Sequence, residues 1–259
     1  MRVKHFFLVA AAAALCGCAE TAPTSLLSYN IQIGLKADHE TADLNGTAEV
    51  IRKIGAETVV LNEVDNGADR SGNVDQPAFL ARKCGYNYEF GFASSRPGGE
   101  YGNVIMSKYP LERLDLLVLP SNAVEARSAL VVKVLAPEPY YVVGTHLTYD
   151  RDLEDVRVKC VDMITDCMKK RGFTPFVLMG DLNTRPNGPT ILRLRELGYL
   201  VVNDIAPDEK SYPAGEPRVL LDYTAVYPAD AAKIVAHFVV DEPTASDHRP
   251  LYSEIIFRD

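Results

Sequence analysis

Carboxylates, amides and imidazoles recur in this chain at positions where an apolar run stops. Asn30, Glu63, His146, Asp181 with Asn183, and Asp222 close such runs, while Asp247 and His248 stand together in the polar segment 246–250. Gathered at one place, these side chains could hydrolyse a phosphate ester. That reaction needs charge neutralisation on the phosphoryl oxygens, an aligned water and a protonated or metal-bound leaving group. Carboxylate and amide oxygens supply the neutralisation through a hard cation. Glu63 is the best candidate ligand for Mg²⁺ (or Mn²⁺), which favours one or two carboxylates plus water and substrate oxygens. Asn30 would orient Glu63 or complete the outer shell around the ion; otherwise it is an amide that caps a strand end.

The elements that must position these groups can be read from the same runs. Residues 25–32, 58–61, 140–144, 176–179 and 219–221 are rich in Val, Ile, Leu and Tyr, and read as buried strands whose C-terminal ends face one crevice. Helical candidates cover 46–55, 76–84, 151–171 and 188–197. The third has the clearest stripe, with Leu153, Val156, Cys160, Val161, Ile164 and Met168 at helical spacing. Arg157 falls inside that stripe, either paired with a core acid or aimed at the polar rim. The runs 103–106, 114–119, 128–135, 234–240 and 251–257 have no helix between neighbours and suggest antiparallel strands. Mixed sheets with helices outside follow, in one domain from residue 25 to 259.

Seven segments, Ser28-Tyr29-Asn30, Leu61-Asn62-Glu63-Val64-Asp65, Tyr101 to Ser107, Gly144-Thr145-His146-Leu147, Met179 to Asn183, Leu221-Asp222-Tyr223 and Ser246 to Pro250, occur in an order that resembles the signature of the endonuclease/exonuclease/phosphatase superfamily. The resemblance implies a four-layer α/β/β/α sandwich, two mixed β-sheets packed face to face. It makes Glu63 a metal ligand, with Asn30 beside it and Asp247 either a second metal-side carboxylate or the partner of a histidine. It implies that His146 and His248 contact the scissile phosphate as donors, held charged and oriented by Asp222 and Asp247. Asp181 becomes the base or orienter of the attacking water, and Asn183 the binder of a nonbridging oxygen; the same Gly180 to Asn183 residues also suit a tight turn. Asn103 and Arg127 fall on the substrate side, although Arg127 also fits a solvated charge at a strand entry. Glu100 resembles, one residue out of place, an acid that pairs with the final histidine in pancreatic-type deoxyribonucleases.

Residues 1–17 carry Arg2 and Lys4 before an apolar run from Phe6 to Leu15, too short to span a bilayer and suited to a signal peptide. Leu15-Cys16-Gly17-Cys18 resembles the lipobox of bacterial lipoproteins, so Cys18 is expected to be lipidated and residues 18–24 to form a tether to a membrane, in the periplasm or at the cell surface. Loss of residues 1–17 removes two bases and no acid, taking the formal charge from -8 to -10. Such a body is poorly suited to sequence-blind binding along a phosphate backbone. Cys84, Cys160 and Cys167 show no zinc spacing and read as small core residues. An exported, acidic chain without Trp does not match the abasic-site endonucleases, and no lysine-rich phosphate clamp lies between Thr184 and Lys210. The resemblance is greatest to compact bacterial envelope members. The expected activity is therefore hydrolysis of a small phosphorylated compound or lipid headgroup, with an exported nuclease as the alternative and a catalytically retired binding module as the remote one.

Overall fold

The computed structural model describes residues 22–121 and 125–258. The segment expected to be a signal peptide, and Cys18, lie outside the described residues. Twelve strands and four α-helices are arranged as β1 (Thr24–Asn30), α1 (Leu44–Ile54), β2 (Thr58–Asn66), α2 (Gln76–Cys84), β3 (Asn87–Arg96), β4 (Gly99–Ser107), β5 (Leu111–Leu119), β6 (Arg127–Val134), β7 (Tyr140–His146), α3 (Glu154–Arg171), β8 (Phe176–Asp181), α4 (Pro189–Leu197), β9 (Leu200–Val201), β10 (Asp222–Tyr227), β11 (Ala232–Val239) and β12 (Leu251–Phe257). Thr24, expected to end the tether, is already in β1.

Two six-stranded sheets form, in the orders β11-β12-β1-β2-β4-β3 and β5-β6-β7-β8-β10-β9. Both are mixed: β1 runs parallel to β2 and β7 parallel to β8, and the other pairings are antiparallel. Alternate residues of the central strands enter different layers of core. In β2, Val60 packs between the sheets with Ile105, Val142 and Met179. Its neighbours Val59 and Leu61 face Ile51 of α1 and Leu80 of α2. In β8, Val177 and Met179 join the central layer, while Phe176 and Leu178 meet Ile164 of α3 and Leu194 of α4. Strands covered on both faces read as continuous apolar runs, which is why these were legible in the sequence. The layers are α/β/β/α, as expected.

One strand expectation changes, and one hairpin joins those expected. Residues 94–100 belong to the β3–β4 hairpin. Strand β3 is an edge strand with one face toward solvent, so it shows alternation and no apolar run. Residues 219–221 do not form a strand ending at Asp222. Asp222 instead opens β10, which runs antiparallel to β8, so a residue that begins a strand reaches the same rim as residues that end one. The described cysteines are free thiols, Cys160 buried and the other two half-buried.

Candidate active site

Strand register assembles the rim. His146 is opposite Asp181 across the β7–β8 pair, Asp222 is opposite Asp181 across β8–β10, and Asn30 is opposite Asn62 across β1–β2. Glu63 arrives by a different device. The β2–β4 register shifts between Leu61 and Val64, and Glu63 takes a positive φ of 56°. This bulge sends Asn62 inward between the sheets and Glu63 into a cleft of about 760 Å³. Asp247 and His248 come from the loop between β11 and β12, which is fastened where the Ser246 hydroxyl donates to the Asn30 carbonyl at 2.8 Å. Gly180 carries φ 140°, and a Cβ there would lie 1.8 Å from the Thr145 carbonyl oxygen, so the approach of β8 to β7 beside Asp181 requires glycine.

The two catalytic histidine candidates sit in opposite electrostatic surroundings. His248 Nδ1 is 2.9 Å from Asp222 Oδ2, which also accepts the Ser211 hydroxyl at 2.6 Å. Burial opposes a charge on this ring, but the carboxylates of Asp222, Asp181 and Asp247 outweigh it and lift its pKa to about 10. His248 is thus an imidazolium at neutral pH. His146 has no carboxylate on Nδ1. Its Nε2 faces the Asn183 amide nitrogen at 3.0 Å, and that nitrogen also donates to the Leu147 carbonyl at 3.0 Å, which fixes the amide orientation. His146 Nε2 therefore accepts, and its proton lies on Nδ1, a buried atom without a partner among the described residues. Burial, then the charges of Arg127 and His248, hold His146 well below its ordinary pKa. The expectation that both rings are held charged by Asp222 and Asp247 is corrected accordingly: Asp222 serves His248, His146 is neutral, and among the described residues Asp247 accepts no hydrogen bond from either ring, acting on His248 through its charge alone.

Asp181 lies between the two rings. Its Oδ2 is 3.6 Å from His146 Nε2 and 3.7 Å from His248 Nε2, long for direct hydrogen bonds, and its Oδ1 accepts the Asn183 N–H at 2.9 Å. Burial raises its pKa to about 7 against the pull of His248, a value suited to taking a proton near neutral pH. Asn183 takes a left-handed φ of 51°, so the residues that suited a turn do make one and present the amide at the same time.

For a divalent cation, the oxygen donors that fit are Glu63 and Asp247. Both line the cleft, and the Glu63 carboxyl is raised by burial, with the Asp247 charge adding to it. Glu63 receives a single hydrogen bond, from Asn30 Nδ2 at 3.0 Å, leaving oxygen lone pairs toward the cleft for a hard ion. Asn30 orients Glu63 from beside it. Its amide nitrogen spans Glu63 and Asp181, and its carbonyl oxygen accepts the Gln32 N–H at 3.1 Å. Asp181, Asp222 and His248 also bring ligand-type atoms within 4.8 Å of one another. A charged His248 has no lone pair to offer, however, and Asp222 Oδ2 already accepts two bonds, so this trio reads as a proton relay.

Three residues had been expected on the substrate side. Arg127 is buried and lines the cleft; one nitrogen pairs with Glu125 at 2.8 Å, while Nε and Nη1 have no hydrogen-bond partner among the described residues. Arg157 combines both readings of its position. It pairs with Glu154 at 3.2 Å, lines the cleft, and donates to the carbonyls of Thr148 and Asp150, both at 2.7 Å. Asn103 does not reach the cleft. Its oxygen accepts from Asn62 at 2.8 Å and its nitrogen donates to the Ser128 carbonyl at 3.3 Å, so it joins the two sheets from within. Glu100 bonds Asn66 at 3.1 Å and is no partner of His248.

Sequence reasoning passed over Asn62, Ser211 and Tyr212. Asn62 bonds Asn103, the Thr145 carbonyl and the Asp181 N–H, tying three strand ends together. Tyr212 places its ring 4.8 Å from His248. A buried amide next to Glu63 was a signal available for Asn62; Ser211 and Tyr212 lie in a loop with none.

The model for the endonuclease/exonuclease/phosphatase family matches residues 27–248. The chain is 24% identical over 248 residues to the uncharacterized protein YbhP of Escherichia coli strain K12, covering 89% of this chain and 95% of that one. Among solved structures, an endonuclease/exonuclease/phosphatase from Beutenbergia cavernae DSM 12333 superimposes with a TM-score of 0.73 at 24% identity, covering 91% of this chain and 72% of the other. The mannosyl-6-phosphatase of Bacteroides thetaiotaomicron VPI-5482 gives 0.71 at 14% identity, covering 90% and 100%. At these identities the structural likeness concerns the fold.

Proposed function

This chain belongs to the endonuclease/exonuclease/phosphatase family of hydrolases, and we propose that it is a metal-dependent phosphoesterase of the cell envelope acting on a small phosphorylated compound. The observation that carries the reading is the cleft itself: an imidazolium at His248, a carboxylate at Asp181 tuned near neutrality, and the guanidinium of Arg127 line one space. A bound Mg²⁺ or Mn²⁺, held by Glu63 and Asp247, would neutralise charge on the phosphoryl group. Arg127 binds a nonbridging oxygen, while the Asn183 amide, expected in that role, spends both its N–H groups on His146 and the Leu147 carbonyl. Asp181 takes the proton of the attacking water, and His248, held charged by Asp222, gives one to the leaving oxygen. His146, neutral, accepts the Asn183 amide at Nε2 and adds no charge to the site.

Two features favour a small soluble ester over the alternatives. The acidic body and the acids in the cleft disfavour long nucleic acid, against the nuclease reading. Strand β1 begins at Thr24 and ends at Asn30 on the rim, so the cleft lies about 20 Å along the strand from the point where a Cys18-lipidated tether would attach. A cleft at that distance from the anchor disfavours headgroups of that surface.

The test is product release by residues 19–259 from p-nitrophenyl phosphate, bis-p-nitrophenyl phosphate, plasmid DNA and phospholipid vesicles, with Mg²⁺ or Mn²⁺ and then with chelator. Chelator-sensitive turnover of the small esters, lost in Asp181→Asn, is the expected result. Turnover that survives chelator or Asp181→Asn would overturn the mechanism. Preferential cleavage of plasmid would favour the nuclease, and a folded protein inert on every substrate would favour a binding module.

A further inference from the structure

One wing of the cleft is cationic in a chain that is acidic overall. Arg151, from the loop before α3, and Arg185, from the loop before α4, both line the cleft and are exposed. Neither makes an ion pair or a hydrogen bond through its guanidinium among the described residues. The backbone carrying them is nonetheless held in place. The buried Arg157 donates to the carbonyls on either side of residue 149, and the Gly188 N–H donates to the Arg185 carbonyl at 2.7 Å. Glu154 is the acid lining this wing; its Oε1 is occupied by Arg157 at 3.2 Å and the Thr184 hydroxyl at 2.8 Å, and its Oε2 by the Thr190 hydroxyl at 2.7 Å. It therefore does not neutralise Arg151 or Arg185.

Free guanidiniums cost nothing at a surface, but two of them on fixed loops opening into the same cleft as His146, Asp181 and His248 form a second place where an anion is favoured. The scissile phosphate is already provided for by Arg127 and the His248 imidazolium. We infer that the substrate is a small bis-anionic ester, one phosphate being cleaved at Asp181 and His248 while a second phosphate or carboxylate is bound by Arg151 and Arg185. This rests on the proposed hydrolysis and narrows it to a substrate class. Planar guanidinium forks suit bidentate contact with either anion.

The test compares alkanediol bisphosphates of graded chain length with the matching alkyl monophosphates. The readout is the ratio of kcat/KM for each pair, in the wild type, in Arg151→Gln, in Arg185→Gln and in the double variant. Arg82→Gln, on exposed surface of α2, is the control. At one or more chain lengths the bisphosphate is expected to be preferred by about tenfold or more, with the preference falling toward one in the double variant and unchanged in Arg82→Gln. A ratio near one at every length, or a preference that survives the double substitution, would overturn the inference. Calorimetry of the same pairs on Asp181→Asn separates this from a failure of the hydrolytic reading. If no ester is turned over, tighter binding of the bisphosphate that is lost with both arginines supports the anion site and counts against hydrolysis alone; equal binding of the two overturns the site.

Discussion

Replacing Asp222 by asparagine tests the unequal roles of the two histidines most directly. In the wild type the carboxylates around His248 overcome its burial and carry its pKa from 6.5 to about 10. At about 1.4 kcal/mol per unit, the net preference for the imidazolium is on the order of 5 kcal/mol. Asp222 is the carboxylate that touches the ring, at 2.9 Å. Asparagine keeps the volume and a hydrogen bond to Ser211, but removes the charge. Burial then dominates, and His248 becomes neutral near pH 7. With the asparagine oxygen accepting from Nδ1, Nε2 holds no proton to give. The expected result is a fall in kcat on p-nitrophenyl phosphate of about 10²- to 10⁴-fold, with the thermal midpoint within a few degrees of wild type. The titration of the His248 ring, followed by NMR, should move from the alkaline range to below neutrality. A kcat within about threefold of wild type, or a ring that stays charged in the variant, would refute the assignment of Asp222 as the group that keeps His248 protonated.

Two further outcomes are expected. Mg²⁺ or Mn²⁺ at about a hundred times its dissociation constant should stabilise the wild type by about 2.7 kcal/mol, and Glu63→Gln should lose most of that shift in thermal unfolding; an equal shift in the variant would remove Glu63 from the ion site. His237, buried on β11 with Ser253 at 2.9 Å, has its pKa lowered by burial to about 4. Its folded pKa lies below the unfolded one, so protonation favours the unfolded chain, and stability drains as pH falls from about 6.5 toward 4. The loss between pH 7 and pH 5 is about 2 kcal/mol, and His237→Leu should show a correspondingly flatter dependence in denaturant titrations; an unchanged slope would show that His237 is not the acid-sensitive group.

The central strands and much of the rim were legible in the sequence, for one physical reason. Strands buried on both faces must be apolar throughout, so Val59, Val60 and Leu61 or Val177, Leu178 and Met179 announce themselves, and the polar residue that stops such a run has left the core. Glu63, His146, Asp181 and Asn183 were found this way, and α3 by the helical spacing of its apolar stripe. Tertiary structure alone decided the rest, because it depends on which chains become neighbours. Register set Asp222 beside Asp181 from the opening residue of an antiparallel strand, and the bulge at Asn62 and Glu63 turned one amide into a tie between sheets. Asn103 was drawn inward by the same tie. The charges of His146 and His248 could not be read from two similar histidines at all. They follow from a carboxylate at 2.9 Å on one ring and an amide at 3.0 Å on the other, distances that arise only when segments far apart in sequence pack together and exclude water.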